Sequence, residues 1–360
     1  MKFIHMADMH LDSPFINLSQ KDTLGDSRRL KQREALKKII DYIKENNIEF
    51  LFISGDLYEN QYIKKSTIEY INNLFKEIPE TKIFIAPGNH DPYIKNSYYN
   101  TFEWNNNVKI FKDKIEKVEI DGINIYGYGF NDFYCYDSKI NELKLDDEQK
   151  INILVMHASL DAGSDDNRSY NPVSSKILKE KRFDYVALGH IHKLDYNTYE
   201  NQNIVYPSST IALGFDETGE HGVIEGNIEK NNLKLKFIKI DDEEFIKKEL
   251  NITDIISKEE LIEKINNIEV TSKQYMEVLL TGNRKFEIDK YDLIKYVLSD
   301  RIIKIKDETK IAYDLEKISK ENTLKGIFTK KMLEKLNEDI SKEEKETIEK
   351  AIEIVFEALE

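Results

Sequence analysis

Five short motifs place metal-binding side chains at intervals along the first part of the chain. They are Asp8-Met9-His10, Gly55-Asp56, Gly88-Asn89-His90-Asp91, His157 and Gly189-His190-Ile191-His192. Carboxylates bring negative charge and imidazoles bring neutral nitrogen donors, a mixture that suits a centre of two divalent cations. A carboxylate has two oxygens, so an aspartate could bridge the pair. Two residues apart in an extended segment, His190 and His192 are expected to point the same way, as are Asp8 and His10. The glycines before Asp56, Asn89 and His190 are expected to let the backbone turn sharply. Taken singly, the motifs are weak: Asp-x-His is commonly a surface pair and Gly-Asp commonly a turn. Their weight lies in the full set and its order.

Regular structure surrounds the motifs. Runs rich in Ile, Val, Phe and Tyr predict strands at 2–6, 50–53, 82–86, 123–128, 151–156, 185–188, 203–206, 222–228 and 233–240. Each motif directly follows one of them. Open α/β sheets gather ligands outside the carboxyl ends of their strands, so the five motifs are expected to share one crevice. Leu30, Leu36, Ile39, Ile40 and Ile43 mark one face of a helix over 28–46, and Ile68, Ile71, Leu74 and Phe75 one over 65–77. This alternation, followed by hairpin-like strands, predicts an α/β sandwich with a mixed sheet. After about Asp241 the texture shifts to Lys, Glu, Ile and Leu with few glycines. There Ser257-x-x-Glu260 and Ser341-x-x-Glu344 read as capping boxes, and Leu324, Ile327, Phe328, Met332 and Leu336 have helical spacing.

Composition bounds the function. The 360 residues suffice for about two domains. A hydrophobic content of 40 % with 11 % aromatics supports a packed core and excludes wholesale disorder. The net charge of −14 argues against a stand-alone, high-affinity nucleic-acid binder. It leaves room for phosphate chemistry on bound cations, whose charge that count omits. No apolar run is long enough to span a bilayer. With no signal-peptide stretch at the start and Cys135 as the single cysteine, a cytoplasmic protein is expected.

Other residues have blander readings. His5 is expected as a core or supporting histidine, His221 at a surface turn, and Cys135 as a small packed residue. Trp104 with Tyr98, Tyr99 and Phe102 either packs or stacks on bases. Arg28, Arg29, Lys31, Arg33, Lys37 and Lys38 form either a solvated helix face or a phosphate-backbone contact.

The five motifs together resemble the calcineurin-like metallophosphoesterase superfamily, over about residues 1–241. Within it, His5-Met6-Ala7-Asp8-Met9-His10-Leu11-Asp12-Ser13-Pro14-Phe15 resembles the opening of bacterial DNA-repair exonucleases of the SbcD and YhaO kind. The resemblance implies a metallophosphoesterase β-sandwich flanked by helices over 1–241. It also implies a small α+β capping domain over 242–317 and a helical tail over 318–360 that could dock an ATPase partner. Carried over, it implies that Asp8, His10 and His192 hold one metal and that Asn89, His157 and His190 hold the second, with Asp56 bridging. His90 would not ligate; it would protonate the leaving oxygen. One departure is Ala158 after His157, where glycine is common in the superfamily.

Two such cations about 3.5–4 Å apart would bring the pKa of a shared water toward neutrality, and hydroxide would attack phosphorus in line. An uncoordinated histidine at the leaving group typically adds ~10²–10⁴-fold. The family implies manganese, though ligand softness alone also admits iron or zinc. It further implies a DNA substrate, a homodimer and an SMC-like coiled-coil ATPase as a separate protein. This chain has no Gly-x-x-x-x-Gly-Lys-Ser/Thr loop. The expectation is thus a manganese-dependent DNA exo/endonuclease subunit. The alternative is a phosphodiesterase or phosphatase acting on a small nucleotide or phosphoprotein, since the same core recognises a phosphate and not its attachments. A catalytically silent scaffold is the third reading, against which the intact ligand set argues.

Overall fold

The structure, a computed structural model, describes residues 1–16, 18–20, 24–161, 170–196, 203–338 and 340–359. Successive strand residues face opposite sides of a sheet, and the strands beside the motifs are apolar on both sides. Ile4 and Met6 face one core while Phe3 faces another; Leu51 and Ile53 alternate likewise with Phe50 and Phe52. Strands covered on both faces belong in the middle of a layered sandwich.

Two six-stranded sheets build it. The first runs Asn232–Lys239, Gly222–Glu229, Lys2–Met6, Phe50–Ile53, Lys82–Ile85, Val108–Ile110. Lys2–Met6, Phe50–Ile53 and Lys82–Ile85 are parallel, with Phe3 opposite Phe50 and Phe50 opposite Lys82. Gly222–Glu229 closes on the first strand antiparallel, with Phe3 opposite Gly226. The second sheet runs Leu194–Asp195, Ile204–Pro207, Tyr185–Gly189, Ile151–His157, Ile123–Gly127, Glu116–Ile120. Its middle strands are parallel, with Gly189 opposite His157. Phe3, Phe52, Phe84, Ile153, Val155 and Tyr185 share the core between the sheets.

The helices Leu24–Asn46 and Lys65–Lys76 cover the outer face of the first sheet through Ile39, Ile40, Ile43, Ile68 and Ile71. The first helix corrects one expectation. Leu30 is exposed, and Arg28 and Gln32 are buried instead. The helix begins at Leu24, and its inward face near the start is polar because it meets polar groups. Arg28 reaches Asp241 at 2.9 Å, Glu243 at 3.2 Å and the carbonyl of Ala212 at 2.6 Å. Gln32 donates to the carbonyls of Met9 and His10, at 3.0 and 2.6 Å, and so braces the first motif. The short strands Val108–Ile110 and Glu116–Ile120 were not evident from the pattern, being only partly buried.

The chain divides into two compact units. The first holds Met1–Lys247, Val270–Glu277 and Arg301–Lys304; the second holds Lys248–Glu269, Val278–Asp300 and Ile305–Glu360. In the second, Ser257 caps the helix Lys258–Asn266, accepting from the Glu260 N–H, and Leu261 and Ile265 are buried. The helices Leu324–Leu336 and Lys342–Ala358 follow. Ser341 and Glu344 form a reciprocal capping box at the start of the latter. Phe356 is buried against Tyr313, with the Lys325 ammonium 4.4 Å over its ring. Asp339 and Glu360, inside the expected tail, lie outside the described residues. Among the described residues, no helix is long and apolar enough to cross a membrane.

Candidate metal centre

All five motifs emerge from the carboxyl ends of parallel strands in the two sheets. Their convergence does not come from extended backbone. Asp8, His10, Asp56 and His190 have φ of 52°, 49°, 51° and 103°, in the left-handed region that non-glycine residues avoid. The expectation that alternation aligns Asp8 with His10 and His190 with His192 is therefore replaced by successive tight turns. Such strain, on the order of 1–3 kcal/mol per residue, persists where the surroundings over-determine it. The glycine reading shifts as well. Gly88 and Gly189 leave room rather than turn: a Cβ would stand 2.3 Å from Asp56 Oδ1 at the first and 1.9 Å from the Ser54 carbonyl at the second.

Ligand atoms of Asp8, His10 and His192 lie within 4.8 Å of one another. So do those of His10, Asp56 and His90, and those of Asp8, Asp56 and His157. The trios overlap, so they are one cluster. Asn89 and His190 reach it through His157, by an Oδ1 to Nε2 distance of 3.0 Å and a ring separation of 5.2 Å. The Asp8 carboxylate accepts the His190 backbone N–H at 3.0 Å. Asp8, Asp56, His10 and His157 are buried, while the His90 side chain is 45 % exposed.

The hydrogen bonds fix which nitrogens carry protons. His10 Nδ1 lies 2.7 Å from Glu59 Oε1, and His192 Nδ1 lies 2.6 Å from Glu217 Oε1. A carboxylate oxygen can only accept, so both Nδ1 atoms donate, and the two Nε2 atoms face each other at 3.2 Å. His157 Nδ1 donates to the Ser54 carbonyl at 2.9 Å. Its Nε2 is then a bare acceptor aimed at Asn89 Oδ1 and at Asp56 Oδ2, 3.3 Å away. Burial holds the His157 imidazole below its ordinary range despite the Asp56 charge, so a proton does not relieve this meeting of lone pairs. A divalent cation does, and the residues present fit one.

The electrostatics agree. Burial pulls His192 down, but the Glu217 hydrogen bond and the Asp8 charge bring it up to about 9. Burial likewise opposes a charged His90, yet Glu59 and Asp56 raise it to about 9. His190 is driven down to about 3 by burial and by the neighbouring His157. Burial pushes the Asp8 carboxyl well above its usual range, with His192 only partly offsetting. Burial acts on Asp56 too, but His157, His10 and His90 hold it below that range. Two buried carboxylates thus share a pocket that demands positive charge.

Several residues of this arrangement carry no sequence signal as plain as the motifs. Glu59 braces both His10 and His90, the latter at 2.9 Å; its place three residues after Asp56 was the available hint. Glu217 had none. Asp91, inside the Gly-Asn-His-Asp motif, accepts from the N–H groups of Gly88, Asp56 and Leu57 and from the Tyr99 hydroxyl. His5 is a supporting histidine: its Nε2 meets Ser54 Oγ at 3.1 Å and its Nδ1 the Tyr185 hydroxyl at 2.9 Å. His221 is buried, not at the surface, with Nδ1 2.9 Å from Ser209 Oγ, which in turn donates to Glu217. Trp104 packs with Phe75, Tyr99 and Phe102. The basic helix residues are all in ion pairs, Arg28 with Asp241, Arg29 with Asp26, Lys31 with Glu34, Arg33 with Asp12, Lys37 with Asp41 and Lys38 with Asp242. Cys135 is half-buried and burial pushes its thiol up, which does not favour a nucleophile.

Known proteins are similar to this chain. Residues 1–194 match the family model of the calcineurin-like phosphoesterases. The uncharacterized metallophosphoesterase YhaO of Bacillus subtilis is 25 % identical over 263 residues, which are 71 % of this chain and 64 % of that protein. The D subunit of the nuclease SbcCD of Staphylococcus epidermidis is 28 % identical over 266 residues, 65 % of this chain and 67 % of that one. The match to YhaO therefore spans a little under two thirds of its length. Among solved structures, TT1561 of Thermus thermophilus aligns over 66 % of this chain and 98 % of its own, with 12 % identity. Its TM-score is 0.40.

Proposed function

The chain belongs to the calcineurin-like phosphoesterase family, and from that premise we propose that it is a metal-dependent phosphodiesterase, most specifically a manganese-dependent DNA nuclease subunit. The observation that carries this reading is the meeting of the unprotonated His157 Nε2 with Asn89 and two buried aspartates at one point. In this proposal Asp8, His10 and His192 hold one cation, Asn89, His157 and His190 hold the other, and Asp56 lies between. Two divalent cations there would supply an acidified water and neutralise charge on the phosphate oxygens. The protein's own groups do the rest. Glu59, Glu217 and the Ser54 carbonyl fix the tautomers of His10, His192 and His157, so each presents Nε2 to the centre. His90 is the exposed ring of the cluster, held by Glu59 on one side. From there it would give a proton to the departing oxygen.

The nuclease branch rests on the similarity to the SbcCD protein. The basic helix residues are committed to ion pairs, so that face offers little free cationic surface for a DNA backbone. That favours either a partner that supplies DNA affinity or the second reading, a small nucleotide or phosphoprotein substrate. We assign the catalytic role to 1–241, a capping role to 242–317 and docking of an SMC-like ATPase to 318–360, in a homodimer. Loss of ATPase capture on removing 318–360 is the expected pull-down result; undiminished capture would place docking elsewhere.

The main test is cleavage of end-labelled single- and double-stranded DNA with manganese, beside a small phosphodiester and an EDTA control. Metal-dependent DNA cleavage that falls ~10²–10⁴-fold in His90→Ala, with metal content unchanged, is expected. Hydrolysis of the small ester alone would favour the second reading. Full turnover in His90→Ala would remove its role as the acid.

A further inference from the structure

Three tyrosine rings lead outward from the centre. The Tyr170 ring lies 5.2 Å from that of His190. Tyr134 is nearly parallel to Tyr170, with centroids 5.9 Å apart and planes at 18°. Tyr136 continues the row at 6.1 Å from Tyr134 and only 6° from parallel. Parallel rings that far apart are slid past each other. Tyr134 and Tyr136 are 55 % and 63 % exposed, although a pair of large aromatic side chains gains by burial.

This row is built into the centre's scaffold. The backbone N–H of Asn171 donates to the carbonyl of Cys135, the residue between the two exposed tyrosines, at 2.5 Å. The Asn171 amide donates to the carbonyl of His157 at 2.7 Å and accepts from the Tyr128 hydroxyl at 2.8 Å. Asn171 is buried and has a φ of 50°. One residue therefore ties the loop that carries the exposed rings to the strand end that carries His157. Tyr170 itself is fixed by Ser159, whose N–H donates to its carbonyl at 2.9 Å.

We propose that Tyr170, Tyr134 and Tyr136 form a stacking platform for unpaired nucleobases beside the His190 side of the centre, making single-stranded nucleic acid or a frayed end the preferred substrate. The proposal rests on the nuclease reading and gives it a substrate form. The chemistry fits the chain's charge. A protein at −14 draws little affinity from phosphates, whereas stacking on an aromatic face needs no positive charge and tolerates any base. Bases inside a duplex already cover one another and must unpair before they can reach these rings.

The experiment pairs a protein change with a substrate change. Binding of a fluorescein-labelled single-stranded oligonucleotide is read by anisotropy in calcium, and its cleavage in manganese. The proteins are wild type, Tyr134→Ala/Tyr136→Ala and Tyr134→Phe/Tyr136→Phe. The substrates are the intact oligonucleotide and one with abasic positions at the cleaved end. Loss of one stacked base corresponds to a factor of about 5–150. The alanine variant is expected to weaken binding of the intact strand at least ~10-fold, and the phenylalanine variant to keep it. Abasic substitution should weaken the wild type but leave the alanine variant little changed. Manganese content and thermal unfolding of the alanine variant should match the wild type.

Equal binding of the intact strand by wild type and alanine variant would overturn the platform, as would an abasic penalty of the same size in both. The two readings fail separately. Tyrosine-dependent binding without any DNA cleavage would overturn the nuclease and keep the platform. Cleavage indifferent to both tyrosines would keep the nuclease and overturn the platform.

Discussion

The two halves proposed for the centre are braced in different ways. On the side of Asp8, His10 and His192, both imidazoles are backed by carboxylates, Glu59 and Glu217. On the side of Asn89, His157 and His190, the buried imidazole of His157 is backed by a main-chain carbonyl, that of Ser54. A carboxylate behind an imidazole raises its basicity; a carbonyl mainly orients it. The difference shows in the charges, with His192 raised to about 9 against the pull of burial and His157 lowered by it. One half depends on side chains that a mutation can delete. The other depends on the fold, since the Ser54 carbonyl stands where Phe50–Ile53 leaves the first sheet.

The strongest way to collapse this difference is to remove what both halves share. Asp56 faces His10 at 3.7 Å, faces His157 at 3.3 Å and accepts the His90 N–H at 2.8 Å. Asp56→Ala is expected to lose both cations by elemental analysis. Turnover should fall by about a thousand-fold or more, the several kcal/mol that metal stabilisation supplies. Two tightly held metals in that variant would show that the halves are independent and that Asp56 bridges nothing.

What the sequence made legible divides along the same line. The motif residues stand directly after strands, so their types and order foretold one crevice without any long-range information. The strand alternation that separates Phe3 and Phe52 from Ile4 and Leu51 was equally local. The bracing residues were not legible, because each is an ordinary acidic or polar residue among 67 aspartates and glutamates. Only the fold brings Glu217 to His192, 25 positions earlier, or Asp241 to Arg28, 213 positions earlier. Those distant partners also explain the two misread helix positions. A periodicity argument puts Leu30 inside and Arg28 outside, because it cannot see that Asp241 and Glu243 wait behind the helix. The rest of the basic stretch is a solvated helix face, with Lys31, Lys37 and Lys38 partly exposed and paired with carboxylates.

A middle-sized effect tests the side-chain-braced half alone. Glu217→Gln keeps the size of the brace but removes its charge from behind His192. Metal affinity on that side should fall ~10–100-fold, as for other residues that orient a ligating histidine. Turnover at saturating metal should recover much of the wild-type value. Titration with manganese, following one weak and one tight binding step, is the measurement. Two unchanged steps would mean that Glu217 does not tune its half.

The smallest expected effect on metal binding is at Ser54, and it is the sharpest check of the contrast. Ser54 Oγ donates to the Ala187 carbonyl at 2.9 Å and meets His5 Nε2 at 3.1 Å, while the Ser54 carbonyl, a different atom, holds His157. Ser54→Ala deletes the hydroxyl and leaves the carbonyl. It takes one partner each from the buried His5 Nε2 and the Ala187 carbonyl, so the cost should appear as lost stability on the order of 1–3 kcal/mol in denaturant unfolding. Metal affinity should move less than in Glu217→Gln. If instead Ser54→Ala loosens a cation as much as Glu217→Gln does, the orientation of His157 depends on the buried hydroxyl chain through His5 and Tyr185. The two halves would then be braced by side chains alike.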